Sequence, residues 1–363
     1  MKIGIIGGGN LGCVLATKFS QENEVCLYLS PVEKDKHYNP HMRILTDSGD
    51  YIEANIKVIT ADLEELCSFA EYIFVTFPAF LFKGLAKDLI PHLRKGTHLV
   101  FVPGCGGSEL AFKDVLSKGV TITGLQRVHA IARIIEQGEL TRESGVKKDL
   151  RIASIPQSFN KEAVETLSKL YKMIVLPLDN YLNVTFVNSN PILHTSRLYS
   201  IFKDYVPNEK EYDSLPLFYE DWTLETSNLL INMDLELFKI MDVFEKNGLP
   251  VKQILSLLDH YECKDAEGLT KKIKSIDAFK GLTTPSKQLE NKKYIPDLNS
   301  RYFTADFPYG LDVLLSFAEH LKVDCPNMKM VSDWYHRITN TKKVFDIKDY
   351  SITSKEQLFA LYK

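Results

Sequence analysis

"KIGIIGGGNLG", Lys2 to Gly12, decides the fold. Its first half is a short, mostly apolar run, the pattern of a strand buried on both faces of a parallel sheet. Its second half carries G-x-G-x-x-G as Gly7, Gly9 and Gly12. Glycines are common and the pattern alone is weak. Placed after a strand and at the opening of a helix, it is the turn that holds a dinucleotide. There Gly7 permits the tight bend, Gly9 lets backbone approach a pyrophosphate, and Gly12 lets helix pack closely on strand. The free N–H groups at the helix start, at Asn10 and Leu11, then hold phosphates at the positive end of the helix dipole.

Working outward, a helical stretch from about Asn10 to Ser20 leads to a second strand, "EVCLYL" (Glu24–Leu29). Residues 43–60 read as a hairpin turning at Ser48–Gly49 and ending in a further strand. "YIFVTF" (72–77), "HLVFVP" (98–103) and "VTITG" (120–124) are further β-type runs, with helical stretches at 79–93 and 108–117. "LRIAS" (150–154) and "IVLPL" (174–178) close the series. Such alternation predicts a twisted, mainly parallel sheet covered on both faces. From about Ser189 the texture turns helical, with stretches at 222–248, 250–261 and 310–323. Leu229, Met233, Leu237 and Met241 recur at i, i+4, and Gly248 stands where a C-cap glycine belongs. The expected architecture is α/β: a Rossmann-type dinucleotide-binding domain over 1–187 and a mainly α-helical domain over 188–363. The final "SITSKEQLFALYK" reads either as a short docked helix or as a frayed tail.

Nucleotide choice turns on the end of the second strand, where an acid accepts the ribose 2′-OH in NAD-preferring sites. That position falls at Leu29–Ser30 and carries none. Ser30 offers a hydrogen bond, and Lys34 or Lys36 a positive charge, so NADP(H) is expected, with NAD(H) as the alternative. "TFPAF" (76–80, with Pro78) and "VPGCGGSEL" (102–110, with Gly104) follow strands at their carboxyl ends. Ligands of open α/β sheets bind there, so both turns are expected to wall the cofactor site.

With 363 residues the chain has room for two domains, and 45% hydrophobic with 25% charged residues is an ordinary globular mix. A net charge of −3 gives no reason to expect nucleic acid or an anionic membrane as partner. No run reaches the roughly 20 apolar residues a bilayer span needs, and too few residues precede the glycines for a signal-peptide core. Six cysteines without metal-ligand spacing suit reduced thiols in a cytoplasm, with no zinc.

His194, in "NSNPILHTSR" (188–197), is the histidine whose role is open: on its residues alone it is either a core side chain or a proton carrier. Asp234 and Glu236 stand two apart in a helix and cannot share one face, so they are not read as an acid–base pair. Cys105 lacks a nearby His in sequence and is not read as a nucleophile.

Taken in order, "IGGGNLG", "FPAF", "PGCGGSELAF", "NSNPILHTS", "NMDLELFKI" and "RYFTADFPYGL" make the chain resemble the opine dehydrogenase family of the octopine and nopaline type, over nearly its whole length. The resemblance implies an oxidoreductase that condenses an amino acid amine with a 2-oxo acid such as pyruvate. The imine is then reduced with NAD(P)H between a Rossmann and a helical domain. It also implies a dyad of His194 and Asp306, with Arg301 holding a substrate carboxylate. Histidine suits proton transfer near neutrality, and a carboxylate on its far nitrogen fixes its tautomer. Arg301 presents a planar fork that matches a carboxylate. Arg197 and Arg133 are weaker substrate candidates, His129 is read as structural, and Trp222 and Tyr302 as core or substrate wall. The chain departs from the family pattern at Ala305, at Gln126 and at the missing second-strand acid. Its partners are then small-molecule substrates, an amino acid and a 2-oxo acid, with a homodimer left open. Ketopantoate-reductase and 3-hydroxyacid-dehydrogenase relatives are the enzymatic rivals, but they use a lysine where "NVTFVNSNPILHTSRLYS" has none. An NAD(P)-binding sensor or scaffold is the non-enzymatic one.

Overall fold

In a computed structural model, which describes residues 1–363, the opening run Lys2–Ile6 is a strand (β1) with only its first residue exposed. Helix α1 (Asn10–Phe19) follows the glycines and returns the chain to β2 (Glu24–Tyr28), parallel to β1. The series continues through β3 (Val58–Thr60), β4 (Tyr72–Val75), β5 (His98–Phe101), β6 (Thr121–Leu125), β7 (Asp149–Ile155) and β8 (Ile174–Pro177). These build one eight-stranded sheet in the order β8-β7-β6-β5-β4-β1-β2-β3, parallel except where β7 meets β6. The run β3-β2-β1-β4-β5-β6 is the dinucleotide-binding strand order, and its direction reverses between β1 and β4, where such sheets bind ligands.

The hairpin expected over 43–60 is present: Arg43–Leu45 pairs antiparallel with Tyr51–Glu53, and Gly49 takes φ +89° in the turn. It belongs, however, to a second, four-stranded sheet completed by Ile131–Glu136 and Leu140–Ser144, which sequence reading did not find. Asn10 ties this sheet to the start of α1, its Oδ1 accepting from the Ile134 N–H at 2.7 Å. Lys18 does so at the other end, ion-paired at 2.9 Å to buried Glu143.

The chain divides into two units, Met1–Thr185 together with Leu361–Lys363, and Phe186–Ala360. This differs from the expected 187/188 division by two residues and in assigning the last three to the first unit. The tail is a docked helix (Lys355–Leu361), after which Tyr362 is buried and donates to the buried carboxylate of Glu109 at 2.8 Å.

The second unit is mainly helical. Its longest helix, α2 (Leu224–Glu245), starts where Thr223 accepts from the Thr226 N–H and ends ahead of Gly248 at φ +77°. Met233, Leu237 and Met241 face its core as the i, i+4 stripe requires. Asp234 and Glu236 are also buried, each satisfying a different segment. Asp234 accepts from the Leu257 N–H and from Asn188, while Glu236 accepts from the N–H groups of Asn327 and Met328 at the start of helix α4 (Pro326–Thr339). The helix expected over 250–261 is confined to Leu257–His260. Backbone just ahead of it is held from outside, by Asp234 and by Asn188 donating to the Leu255 carbonyl. Helix α3 (Asp312–Leu321) precedes α4 in the chain. No helix is long and apolar enough to cross a membrane.

Candidate active site

At the turn after β1, Gly7 adopts φ +113°, a conformation that L side chains rarely take. A Cβ on Gly12 would stand 1.7 Å from the Gly7 carbonyl oxygen, so α1 packs on the turn only because that atom is missing. A Cβ on Gly9 would meet nothing within 4 Å, and no side chain caps α1 at Gly9. The first N–H groups of α1, at Asn10, Leu11 and Gly12, precede its first intrahelical bond (Cys13 N–H to Gly9) and stand at the positive end of its dipole. This cradle fits a pyrophosphate. Thr76 and Phe77 press on Gly7 from the end of β4, placing exposed Pro78 beside the turn. Gly104 instead lies buried, where a Cβ would strike Gly124 and Tyr181. Its N–H donates to Leu125 and its carbonyl accepts from Ser108. Close packing, rather than a ligand, demands glycine there.

The end of β2 holds what the sequence did not reveal. A turn from Ser30 brings Glu33 back, and its Oε2 accepts from the Ser30 hydroxyl at 2.8 Å. Oε1 lies 3.5 Å from the Tyr38 hydroxyl, which itself donates to the Gly8 carbonyl at 2.9 Å. Ser30 is therefore engaged by an acid, and Lys34 is exposed.

The second unit brings His194 and Asp306 together, although 112 residues separate them: Nδ1 lies 2.8 Å from the Asp306 Oδ2. Each stands against a π-helical turn, His194 closing Ser189–His194 and Asp306 preceding Phe307–Leu311. Such turns are rare and occur often at functional sites. The two turns approach so closely that a Cβ on Gly310 would lie 3.1 Å from the Pro191 ring. This explains why "FPYGL" carries glycine.

Three further groups complete the surroundings. The Tyr219 hydroxyl lies 3.0 Å from His194 Nε2. Tyr302 sets its ring 4.7 Å from the imidazole, and Phe218 stands at 6.0 Å. His194 and Asp306 keep 14% and 17% of their side chains exposed, so solvent reaches the pair. Arg301 opens a short helix five residues before Asp306; it is exposed and forms no ion pair.

Other sequence candidates fall elsewhere. Arg197 is buried and its guanidinium donates to the carbonyls of Leu217, Phe218 and Asp221, pinning the loop that presents Tyr219. Burial pushes that guanidinium down to about 10. Trp222 packs beneath it in the core. Arg133 donates to a carbonyl in the small sheet, buried His129 faces Glu143, and Gln126 donates to the Asn183 carbonyl. Sequence reading missed Tyr219 altogether; the aromatic cluster "LFYEDW" around it was its one signal.

Residues 177–339 match the family model described as the α-helical domain of NAD/NADP octopine/nopaline dehydrogenase. Residues 2–102 match one described as NADP oxidoreductase, coenzyme F420-dependent. Tauropine dehydrogenase of Arabella iricolor is 25% identical across 98% of this chain and 96% of its own. Its helical unit carries the octopine/nopaline dehydrogenase domain, and the chain is a homologue of opine dehydrogenases. It is an oxidoreductase of the NAD(P)-binding Rossmann type. Opine dehydrogenase of Haliotis discus hannai is 27% identical over 81% of this chain and 77% of its own. In fold, an octopine dehydrogenase solved with NADH and L-arginine superposes with a TM-score of 0.89 at 20% identity, over 100% of this chain and 98% of that one.

Proposed function

We propose that this oxidoreductase joins the amine of an amino acid to a 2-oxo acid, commonly pyruvate, and reduces the imine to an N-(carboxyalkyl) amino acid, and runs the reverse oxidation. The observation that carries the reading is the His194–Asp306 pair at 2.8 Å inside the matched helical domain. Imine formation expels water and reduction leaves a secondary amine, so protons must move at neutral pH. A histidine oriented by a carboxylate is suited to move them. Bound at the glycine turn, the nicotinamide cofactor supplies the hydride. Arg301, exposed and without an ion pair, is free to grip a substrate carboxylate through its planar fork. L-arginine and pyruvate each accompany NADH in solved octopine dehydrogenase structures and are the first substrates to try.

The expectation of NADP(H) rested on a strand end without an acid. Glu33 supplies a carboxylate beside Ser30, where it would accept from a ribose 2′-OH and repel a 2′-phosphate. This supports NAD(H) as the preferred cofactor.

The test is a panel of amino acids, each with pyruvate, 2-oxobutyrate, oxaloacetate or 2-oxoglutarate, followed by the absorbance of NADH and of NADPH. Oxidation that requires both the amine and the oxo acid, with kcat/KM higher for NADH, is the expected result. Turnover of ketopantoate without an amine would make the chain a ketopantoate reductase instead. Tight nucleotide binding with no turnover on any pair would make it a sensor or scaffold.

A further inference from the structure

Both ring nitrogens of His194 are engaged: Nδ1 faces Asp306 at 2.8 Å and Nε2 faces the Tyr219 hydroxyl at 3.0 Å. An ionised carboxylate only accepts, so it holds the Nδ1 proton in place, and Nε2 of the neutral ring then accepts from the phenol. A proton carrier needs one nitrogen for its substrate. Either Tyr219 swings aside, or the proton passes through it.

The packing speaks against swinging aside. Tyr219 is 4% exposed and stacked on Phe279, with ring centroids 4.0 Å apart and planes 15° from parallel. Phe218 meets it edge-on at 4.8 Å, and Trp222 lies nearly parallel at 6.2 Å. The backbone on either side is fixed as well. Arg197 holds the carbonyls of Leu217, Phe218 and Asp221, and the Trp222 indole N–H donates to Ser227. Displacing the phenol would break this set of contacts for one new hydrogen bond. Burial also pushes the phenol well above its usual range, so it stays protonated and can donate.

We propose that Tyr219 is a catalytic residue, the group through which His194 exchanges protons with the substrate. The inference rests on the reading of His194 as proton carrier. In the reductive direction the amine nitrogen bonds to the carbonyl carbon of the oxo acid, and water leaves to give the imine. As the imine carbon accepts the hydride, its nitrogen takes the proton of the Tyr219 O–H. The proton on Nε2 of the charged imidazole moves to the phenolic oxygen in the same event, and His194 regains one from solvent. One proton and one hydride are consumed per turnover. The reverse oxidation runs the same path backwards, with Nε2 accepting.

Tyr219→Phe keeps the ring and its stacking while removing the relay oxygen. It is compared with His194→Asn and the unaltered protein, using the best amine and oxo acid pair, for kcat, both KM values, NADH affinity and thermal midpoint. The expected result is a kcat loss of about tenfold or more in Tyr219→Phe, with KM values, NADH affinity and midpoint little changed. A smaller kcat loss, or one confined to KM, with His194→Asn inactive, would overturn the relay and leave the dyad standing. An active His194→Asn would overturn both the relay and the dyad beneath it.

Discussion

The second unit contains two His–Asp pairs of nearly equal length, and only one has the makings of a site. His194 Nδ1 meets Asp306 at 2.8 Å, and His336 Nε2 meets Asp312 at 2.9 Å. Asp312 is fully buried at the start of α3 and also accepts from Ser332 at 2.6 Å. The second nitrogen of His336 is engaged by Thr341. This pair ties α3 to α4, and every polar atom in it serves the packing. Around His194 the carboxylate stays partly accessible, the second nitrogen faces a phenol, and an exposed arginine stands five residues from the aspartate. The contrast teaches that pairing distance does not mark a catalytic histidine. What separates the two is the group that the outer nitrogen faces and the accessibility of the carboxylate.

Exchanging the two pairs' fates gives the largest expected effects. His194→Asn should lower kcat by about 10²–10⁴-fold while leaving the thermal midpoint near that of the parent. His336→Ala should do the reverse. It strands the buried Asp312 carboxylate, costing about 3 kcal/mol of stability by denaturant unfolding, with kcat retained below the melting range. Loss of catalysis from His336→Ala in protein that is still folded would erase the distinction drawn between the pairs.

How far the sequence reveals each region follows the same logic. The glycine turn is readable because its requirements are local: a positive φ at Gly7 and no room for a Cβ at Gly12 leave a mark within a few residues. The meeting of His194 with Asp306 across 112 residues has no local mark and came through a family resemblance. Tyr219 went unseen because the loop that carries it has no periodicity and is held by Arg197, a residue whose charge suggested a substrate contact. Glu33 was missed because the turn from Ser30 folds it back onto a strand end that looks empty in linear order. The small sheet escaped because its strands are three to six residues long and the hairpin pairs with a segment nearly a hundred residues later.

The meeting of the two π-helical turns offers a milder way to sharpen the comparison. An alanine at Gly310 would put its Cβ 3.1 and 3.2 Å from two carbons of the Pro191 ring, tighter than ordinary contact. One turn must shift by a few tenths of an ångström, and the imidazole and the carboxylate ride on different turns. Gly310→Ala should therefore lower kcat by about tenfold, since small misplacements of catalytic groups weaken catalysis steeply. It should leave NADH affinity unchanged, because the glycine cradle belongs to the other unit. The same substitution leaves the His336–Asp312 pair in place, so a loss of stability comparable to that of His336→Ala would show that Gly310 serves packing rather than alignment.

The smallest effect concerns a third carboxylate, Asp234, which holds Asn188 at the entry to the His194 turn at 2.8 Å. Burial raises its pKa to about 6 from an ordinary 3.8, more than its bonds from Leu257 and Asn188 lower it. The folded value lies above the unfolded one, so its contribution to stability is fully present below about pH 3.8 and is lost as pH rises through 6. Asp234→Asn removes the charge while keeping a side chain that accepts from one of the two donors. Between pH 5 and 7.5, the midpoint of the parent should therefore fall relative to that of the variant, by about 2–4 °C for each kcal/mol lost. Parallel midpoints across that range would mean that Asp234 does not titrate there. A shift of the opposite sign would mean that its hydrogen bonds outweigh its burial.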